Sequence, residues 1–382
     1  MLCCITGFHP IRPRYEIDQE TILDWIAKTH ARAAESSEKC NYAESYRQIR
    51  ERISQLGVGS ECIEKRGVHI RDIFQTDLQE REIYPVITHP RGKGFTERSQ
   101  FFDREVSPIL EAFYEEDSPL PPHLIHVTCT GYVAPSPAQK LVSSKKAGHQ
   151  TTVTHAYHMG CYAALSAIRM GSGFLRLPSS KPAVDVIHTE LCTLHLQPLR
   201  YSTEQLIVQS LFADGFIKYT LVREANQPHL KVVALLEEII PESSHCMTWR
   251  CEDHGLGMTL SKEVPVRIAR SLEGYLERLS HCSGIDHEQI KREALFAIHP
   301  GGPKILQHVA QILSLSPFQI QHSAQVLRHF GNMSSATLPH IWEKMQEDPA
   351  ISDGAYIVSL AFGPGLSLSG GLLQKNPHSY YS

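Results

Sequence analysis

From Gly354 to Gln374 the chain reads GAYIVSLAFGPGLSLSGGLLQ, a run without a single charged residue. A run of that length is long enough to cross a bilayer as one helix. Five glycines and a proline interrupt it, and in a helix interior each glycine costs about 1 kcal/mol and a proline about 3 relative to alanine. Two buried strands joined by a glycine-rich turn explain the same residues, because strands covered on both faces read as continuous apolar runs. This segment is therefore expected inside a sheet with material packed on both sides.

Comparable β-rich runs recur upstream: HLIHVTC (123–129), TTVTHAYHM (151–159), AVDVIHTELCTLHL (183–196), FIKYTLVR (216–223), ALFAIHP (294–300) and AYIVSLAFG (355–363). Helical patterns separate them. In 96–116, Phe102, Val106, Ile109, Leu110 and Phe113 share one helical face; in 265–282, Pro265 opens a helix carrying Ile268, Leu272, Tyr275, Leu276 and Leu279; a third runs from Ser316 to a Gly331 stop, read as a left-handed cap. Strands alternating with helices predict an α/β protein. At 382 residues the chain exceeds what one hydrophobic core usually supports, so two lobes are expected. The polar stretch REANQPHLK (223–231) is the predicted boundary, dividing residues 1–225 from 226–382. Each half holds a buried strand ending in a polar or reactive residue followed by small ones, His158-Met159-Gly160-Cys161 in one and His299-Pro300-Gly301-Gly302 in the other. Two related halves meeting at one site would produce that pattern.

Composition works here by exclusion. A formal net charge of −4 gives no electrostatic case for nucleic acid or an anionic membrane as the main partner. The ten cysteines form no CxxC pair and no regular framework, which fits reduced thiols in a cytoplasmic protein. The start, MLCCITGFHPIRP, lacks the basic and long apolar regions of a signal peptide.

One thiol stands out. In AYHMGCYAALSAIRM (156–170), Cys161 precedes apolar positions at helical spacing, Ala164, Leu165 and Ile168. A cysteine in the first turn of a helix faces the positive end of the helix dipole, which favours the thiolate; the competing reading is a small core residue. Three other stretches invite the same double reading: LFADG (211–215) with Phe212, AIHPGGPKIL (297–306) with His299, and HFGNMSSA (329–336) with Asn332. Alone, Phe212 reads as core, His299 as a satisfied strand end and Asn332 as the N-cap of a helix over 333–345.

Taken together and in order, the four stretches resemble the type III polyketide synthases, the chalcone synthase-like enzymes, with their Cys, gatekeeper Phe, His and Asn. EKR (64–66), SKEVP (261–265) and FGPGLS (362–367) extend the similarity over roughly residues 60 to 370. The resemblance implies a thiolase fold, two similar halves layered αβαβα, working as a homodimer. It also implies roles. Cys161 would accept an acyl starter as a thioester, activated by the helix terminus and by His299 as a charge partner. The Cys161 N–H and the loop holding Gly363 and Gly365 would form an oxyanion site. His299 and Asn332 would donate hydrogen bonds to the malonyl thioester carbonyl as carbon dioxide leaves, and Phe212 would shape the gate.

Departures from the plant pattern bear on the product. Ala164-Leu165 replaces a glycine pair after the nucleophile, Cys129 replaces a threonine in VTCTG, Cys192 and His195 replace two more in ELCTLH, and Met258 replaces the second gatekeeper aromatic. Bacterial members of the family it resembles carry similar cysteines. Cys129, Thr130, Cys192, His195, Met258 and Ser334 are the expected pocket residues, and a methionine at 258 favours an aliphatic chain over a coumaroyl-like ring. No metal is expected at His155-x-x-His158-x-x-Cys161 or His188-x-x-x-Cys192-x-x-His195, since residues three apart on a strand point to opposite faces.

The reading is thus a cytoplasmic acyltransferase that extends an acyl starter by decarboxylative Claisen condensation with malonyl units, releasing a pyrone, a resorcinol-type ring or a β-keto product. Two alternatives stand beside it: a single-round enzyme of the ketoacyl synthase III kind, and a non-catalytic acyl-binding subunit of the same fold. No cofactor is expected, only acyl thioesters on CoA or acyl carrier protein. Plant-like members grip the CoA phosphates with three basic residues; counting back from IEKR (63–66) puts those positions at Ile53, Leu56 and Ser60. None is basic, which tilts the expectation toward a carrier-protein donor.

Overall fold

The computed structural model describes residues 3–115, 118–178 and 182–376. Nine strands form one sheet in the order β11-β12-β13-β8-β1-β7-β6-β4-β5. In chain order the strands of this sheet and two small ones beside it are β1 (Cys4–Ile11), β2 (Tyr15–Asp18), β3 (Lys65–Val68), β4 (His123–Thr128), β5 (Thr152–Tyr157), β6 (Ala183–Leu191), β7 (Asp214–Val222), β8 (His229–Ile239), β9 (Met247–Glu252), β10 (Gly255–Leu260), β11 (Leu295–Ile298), β12 (Tyr356–Gly363) and β13 (Ser367–Lys375). β2 pairs with β3, and β9 with β10, as separate two-stranded units. The uncharged run is β12 and β13, antiparallel from Tyr356↔Gln374 to Gly363↔Ser367. Among the described residues no helix is long and apolar enough to cross a membrane.

Alternation along the strands sets the layers. In β6, Val184 and Val186 enter one core while Ile187 and Leu191 enter another; in β12, Ile357 and Ala361 point one way and Val358, Leu360 and Phe362 the other. A period of two with both faces apolar requires cover on both sides. The shared core between the two halves of the sheet is filled by the helices α5 (Ala163–Phe174) and α11 (Thr337–Glu347), through Leu165, Ile168, Leu338, Ile341 and Trp342. Outside the first half lie α1 (Gln19–Glu38), α2 (Tyr42–Leu56), α3 (Phe95–Ala112), α4 (Pro137–Ser144) and α6 (Thr203–Leu211). Outside the second lie α7 (Val264–Ser283), α8 (His287–Glu293), α9 (Pro303–Ile312) and α10 (Pro317–Phe330). Helices, sheet, helices, sheet, helices is the expected thiolase-like layering.

Two local expectations change. Gly331 ends α10, but its φ of 72° and ψ of −165° lie outside the left-handed cap region. A side chain could not sit there: a Cβ would lie 2.9 Å from Arg66 Cγ. The helix after Asn332 begins at Thr337, preceded by a separate 3-10 turn at Ser334–Ala336.

Candidate active site

β5, an edge strand of the sheet, ends at Tyr157, and the chain turns there to present Cys161. His158 takes a φ of +62° and Gly160 one of +79°. Glycine suits its position twice over, since a Cβ would also come within 2.7 Å of Pro364 Cδ. Cys161 then sits in a 3-10 turn, Gly160–Tyr162, ahead of α5. From the other half, the turn between β12 and β13 lies on top of it: a Cβ on Gly363 would meet Tyr162 Cδ1 at 2.3 Å. His158 is held by Tyr132 Oη at Nδ1 and donates from Nε2 to Trp249 O at 2.7 Å.

Cys161 opens on a cleft of about 900 Å³ of atom-free space. Every expected pocket residue lines it, Cys129, Thr130, Cys192, His195, Met258 and Ser334, together with Phe212. Of the turn above Cys161, Pro364 lines the cleft while Gly363 and Gly365 do not. The Cys161 Sγ is 3.9 Å from Ser334 Oγ, and Cys129 Sγ accepts the Gly160 N–H at 3.0 Å.

The charge state of the nucleophile departs from expectation. Burial pushes the Cys161 thiol up to about 12; the Ser334 hydroxyl opposes this and the Glu190 carboxylate adds to it. Dehydrating a thiolate outweighs the dipole of a helix whose first turn starts two residues further on. Burial likewise pulls His299 down to about 3. The resting pair is therefore a neutral thiol and a neutral imidazole, and the implied charge partnership is not preformed.

His299 and Asn332 are 1% and 0% exposed and are not among the residues that line the cleft. His299 follows β11 and is fixed through its backbone, N–H to Leu360 O at 2.7 Å. Asn332 bridges to Phe212 in parallel: its N–H meets Leu211 O at 3.1 Å, and its carbonyl accepts the Ala213 N–H at 2.8 Å. The gate and the amide thus share one backbone frame, which Arg66 braces from below by donating to Gln209 O and Phe212 O at 2.9 and 2.7 Å. Asn332 Oδ1 accepts the Ser334 N–H at 2.8 Å. That bond orients the amide and leaves Nδ2 as the free end. Nδ2 and both His299 ring nitrogens have no hydrogen-bond partner. An unmade bond at a buried polar atom costs about 1–3 kcal/mol, so three on these two residues are a stored binding capacity.

Sequence reasoning missed Glu190. It is fully buried, and its carboxylate accepts from Cys129 N at 3.0 Å and Thr130 Oγ1 at 2.9 Å on one side and from Ser335 Oγ at 2.5 Å on the other. One residue thereby ties the Cys129 loop to the turn that orients Asn332. Burial pushes its carboxyl up while these donors hold the charged form. It also missed Trp249, whose Nε1 donates to Cys129 O at 2.8 Å, and the cleft-lining residues of α1, Ile22, Trp25 and Ile26. At helical spacing these three look like any core stripe.

The weighed metal ligands are engaged with protein groups: His155 with Ser136 Oγ, His188 with Ser335 Oγ and Tyr219 Oη, His195 with Thr130 O and Leu256 N. Among the described residues the one cluster at ligand spacing is His245, Cys246 and Glu263, and Glu263 is already paired with Arg267 at 2.8 Å.

Comparison with known proteins agrees with this geometry. Residues 231–377 match the family model for the C-terminal domain of chalcone and stilbene synthases. The chain is 27% identical over 258 residues to a probable polyketide synthase 1 of Dictyostelium discoideum, covering 66% of this chain but only 8% of that protein. It is 25% identical over 320 residues to a 1,3,6,8-tetrahydroxynaphthalene synthase of Streptomyces coelicolor, covering 82% of each. The solved C-terminal type III polyketide synthase domain of Steely1, a type I/III hybrid from Dictyostelium, shares the fold with a TM-score of 0.81 at 23% identity, over 98% of this chain and 99% of that one.

Proposed function

Because this chain belongs to the type III polyketide synthase family, the chalcone and stilbene synthase group, we propose that it loads an acyl starter on Cys161 and lengthens it with malonyl thioester units. Loading moves the Cys161 proton to His299 as the thiol attacks the starter carbonyl. The new C–S bond forms, the bond to the donor's pantetheine sulfur breaks, and that sulfur leaves with the proton. The resting neutrality of both groups suits this order, since charge appears only when a substrate is present to receive it.

Extension uses the other polar atoms. With the malonyl carbonyl oxygen held by His299 and Asn332 Nδ2, loss of carbon dioxide leaves an enolate whose negative charge falls on that oxygen. Its carbon attacks the acyl–Cys161 carbonyl, the bond to sulfur breaks, and a chain two carbons longer remains on pantetheine. An enolate needs donors without negative charge, which a histidine and an asparagine amide supply and a carboxylate does not. The observation carrying this reading is the Asn332 amide, pinned at Oδ1 and unpartnered at Nδ2, in a protein whose buried His299 also has two free ring nitrogens.

A homodimer belongs to the same reading, supported by β5, an edge strand with Thr152 and His155 exposed. So does a cytoplasmic location, supported by ten unpaired thiols. A carrier-protein donor is favoured because Ile53 is core, and Ser60 contacts the acidic Glu20 at 3.3 Å. Intact-protein mass spectrometry of wild type and Cys161→Ala with acyl donors, followed by malonyl addition and product analysis, tests the proposal. Products with two or more malonyl units are expected, and one unit only would favour single-round condensation.

A further inference from the structure

The connection from β8 to β9, residues 240–246, clamps the turn that lies over Cys161. Ser243 Oγ accepts the Leu366 N–H at 2.8 Å, and the Ile240 N–H meets Leu366 O at 3.0 Å. The same connection ends in His245 and Cys246, whose side chains meet that of Glu263, the residue before α7. One ligand-type atom from each of the three lies within 4.8 Å of the other two. His245 Nε2 stands 3.6 Å from Cys246 Sγ and 3.7 Å from Glu263 Oε1.

These separations are close to those of ligands around a single ion. A tetrahedral zinc ion, with about 2.3 Å to sulfur and about 2.0–2.1 Å to nitrogen and oxygen, holds its ligand atoms about 3.3–3.6 Å apart. For a hydrogen bond between imidazole and carboxylate, 3.7 Å is too long. The carboxylate is also oriented. Arg267 Nε holds Oε2 at 2.8 Å, and Oε1 is the oxygen turned to His245, the arrangement in which an outer hydrogen bond positions a ligating carboxylate. Backbone bonds fix the thiol: the Cys246 N–H meets Ser243 O at 2.9 Å, and the Cys246 carbonyl accepts the Ser261 N–H at 2.7 Å. Cys246 is fully buried, whereas the His245 and Glu263 side chains are 60% and 52% exposed. An ion therefore meets the sulfur from the solvent side, where water completes its shell. One thiolate, one imidazole and one carboxylate suit zinc or cobalt(II) rather than magnesium or calcium, which take oxygen ligands.

We propose that His245, Cys246 and Glu263 bind a zinc-class divalent cation, with water as the fourth ligand, stapling the β8–β9 connection to the start of α7. Binding forms one bond each to sulfur, nitrogen and oxygen, sends the thiol proton to solvent and releases water from the hydrated ion; no electron is transferred. None of the three residues lines the cleft, although the next one, Met247, does. The staple thus acts on the stability of the loop that clamps the turn over Cys161 and takes no part in acyl chemistry.

The test titrates the metal-free full chain with cobalt(II) chloride and then with zinc chloride. Expected are one equivalent of cobalt bound, a thiolate-to-cobalt charge-transfer band with the intense visible bands of a four-coordinate ion, displacement by zinc, and a thermal midpoint that rises with zinc. His245→Gln and Glu263→Gln change exposed side chains, so both variants should fold; each should weaken zinc binding by about tenfold or more and lose the rise in midpoint. Cys246→Ser should remove the charge-transfer band. Cys161→Ala should bind as wild type does, because the cleft thiols are not the ligands. Absence of the charge-transfer band in wild type, unchanged zinc affinity in both glutamine variants, or loss of the band in Cys161→Ala overturns the proposal.

Discussion

Two regions, the cleft lining toward α1 and α6 and the His299–Asn332 set, differ in the chemistry they present. Toward α1 and α6 the lining is largely aliphatic, with Ile22, Ile26, Leu196, Val208 and Leu256, and Gln205, Gln209, Thr193 and His195 each donate to a protein acceptor. His299 and Asn332, by contrast, are almost fully buried polar residues whose two ring nitrogens and Nδ2 have no partner. The difference teaches what each region is for. A surface of aliphatic side chains suits hydrocarbon, and polar atoms with unmet hydrogen bonds suit an oxygen that gains charge during reaction.

The largest expected effect tests the sulfur that both regions are assigned to serve. Cys161→Ala should abolish acyl-enzyme formation altogether. Cys129 and Cys192 share the cleft, but burial and the Glu190 carboxylate push both thiols well up. An acyl adduct mapped to either cysteine in the variant would break the assignment.

A smaller effect is expected from the Glu190 clamp. Glu190→Gln keeps the shape but turns one acceptor into a donor facing either Ser335 or the Cys129 and Thr130 donors. Losing a charge-assisted bond of this kind costs about 1.5–3 kcal/mol. Extension, which depends on the turn orienting Asn332, should fall more than tenfold, and the thermal midpoint should drop as well. Equal loss of loading and extension would mean that Glu190 serves the fold only.

The neutral resting state predicts a pH profile. With the thiol near 12, the thiolate fraction rises tenfold per pH unit throughout the neutral range. Iodoacetamide alkylation of Cys161 should therefore climb tenfold per unit from pH 6 to pH 10 without a plateau. A plateau that begins below pH 8 would reveal a preformed thiolate–imidazolium pair. The smallest effect belongs to Met258→Phe, where a bulkier side chain lining the cleft should shift starter preference toward shorter chains by about threefold; unchanged selectivity would remove Met258 from the site.

The strands were legible because continuous apolar runs bounded by Gly and Pro leave few alternatives, and β12–β13 follows directly from its glycines. β8 was not seen as a strand, and the predicted boundary stretch runs into its first residues at His229. The candidate catalytic set was legible only as an ordered group, because a histidine before Pro-Gly-Gly or an asparagine after a glycine has an adequate structural explanation. Asn332 does make the structural bond, Oδ1 accepting the Ser334 N–H, while Nδ2 takes no part in it. Dehydration of Cys161 could not be read from a helix-start position, because the dipole is local while burial comes from Cys129, Ser334 and the 363–365 turn, all distant in sequence. The α1 lining left no mark at all. Ile22, Trp25 and Ile26 are spaced as core residues are, and whether a core stripe meets a neighbour or a cavity is decided by packing.

The measurement that bears most directly on the division between the two regions is a side-by-side rate of two half-reactions in Asn332→Ala. Loading is read as acyl–Cys161 mass, and decarboxylation as carbon dioxide released from malonyl thioester. The account predicts loading within about twofold of wild type and decarboxylation slower by about 10²–10³, the usual cost of removing one oxyanion donor. His299→Ala should slow both. Equal loss of the two half-reactions in Asn332→Ala, with the fold intact, would contradict the account, because it would make Asn332 a cap for the 334–336 turn and leave its free amide without a task.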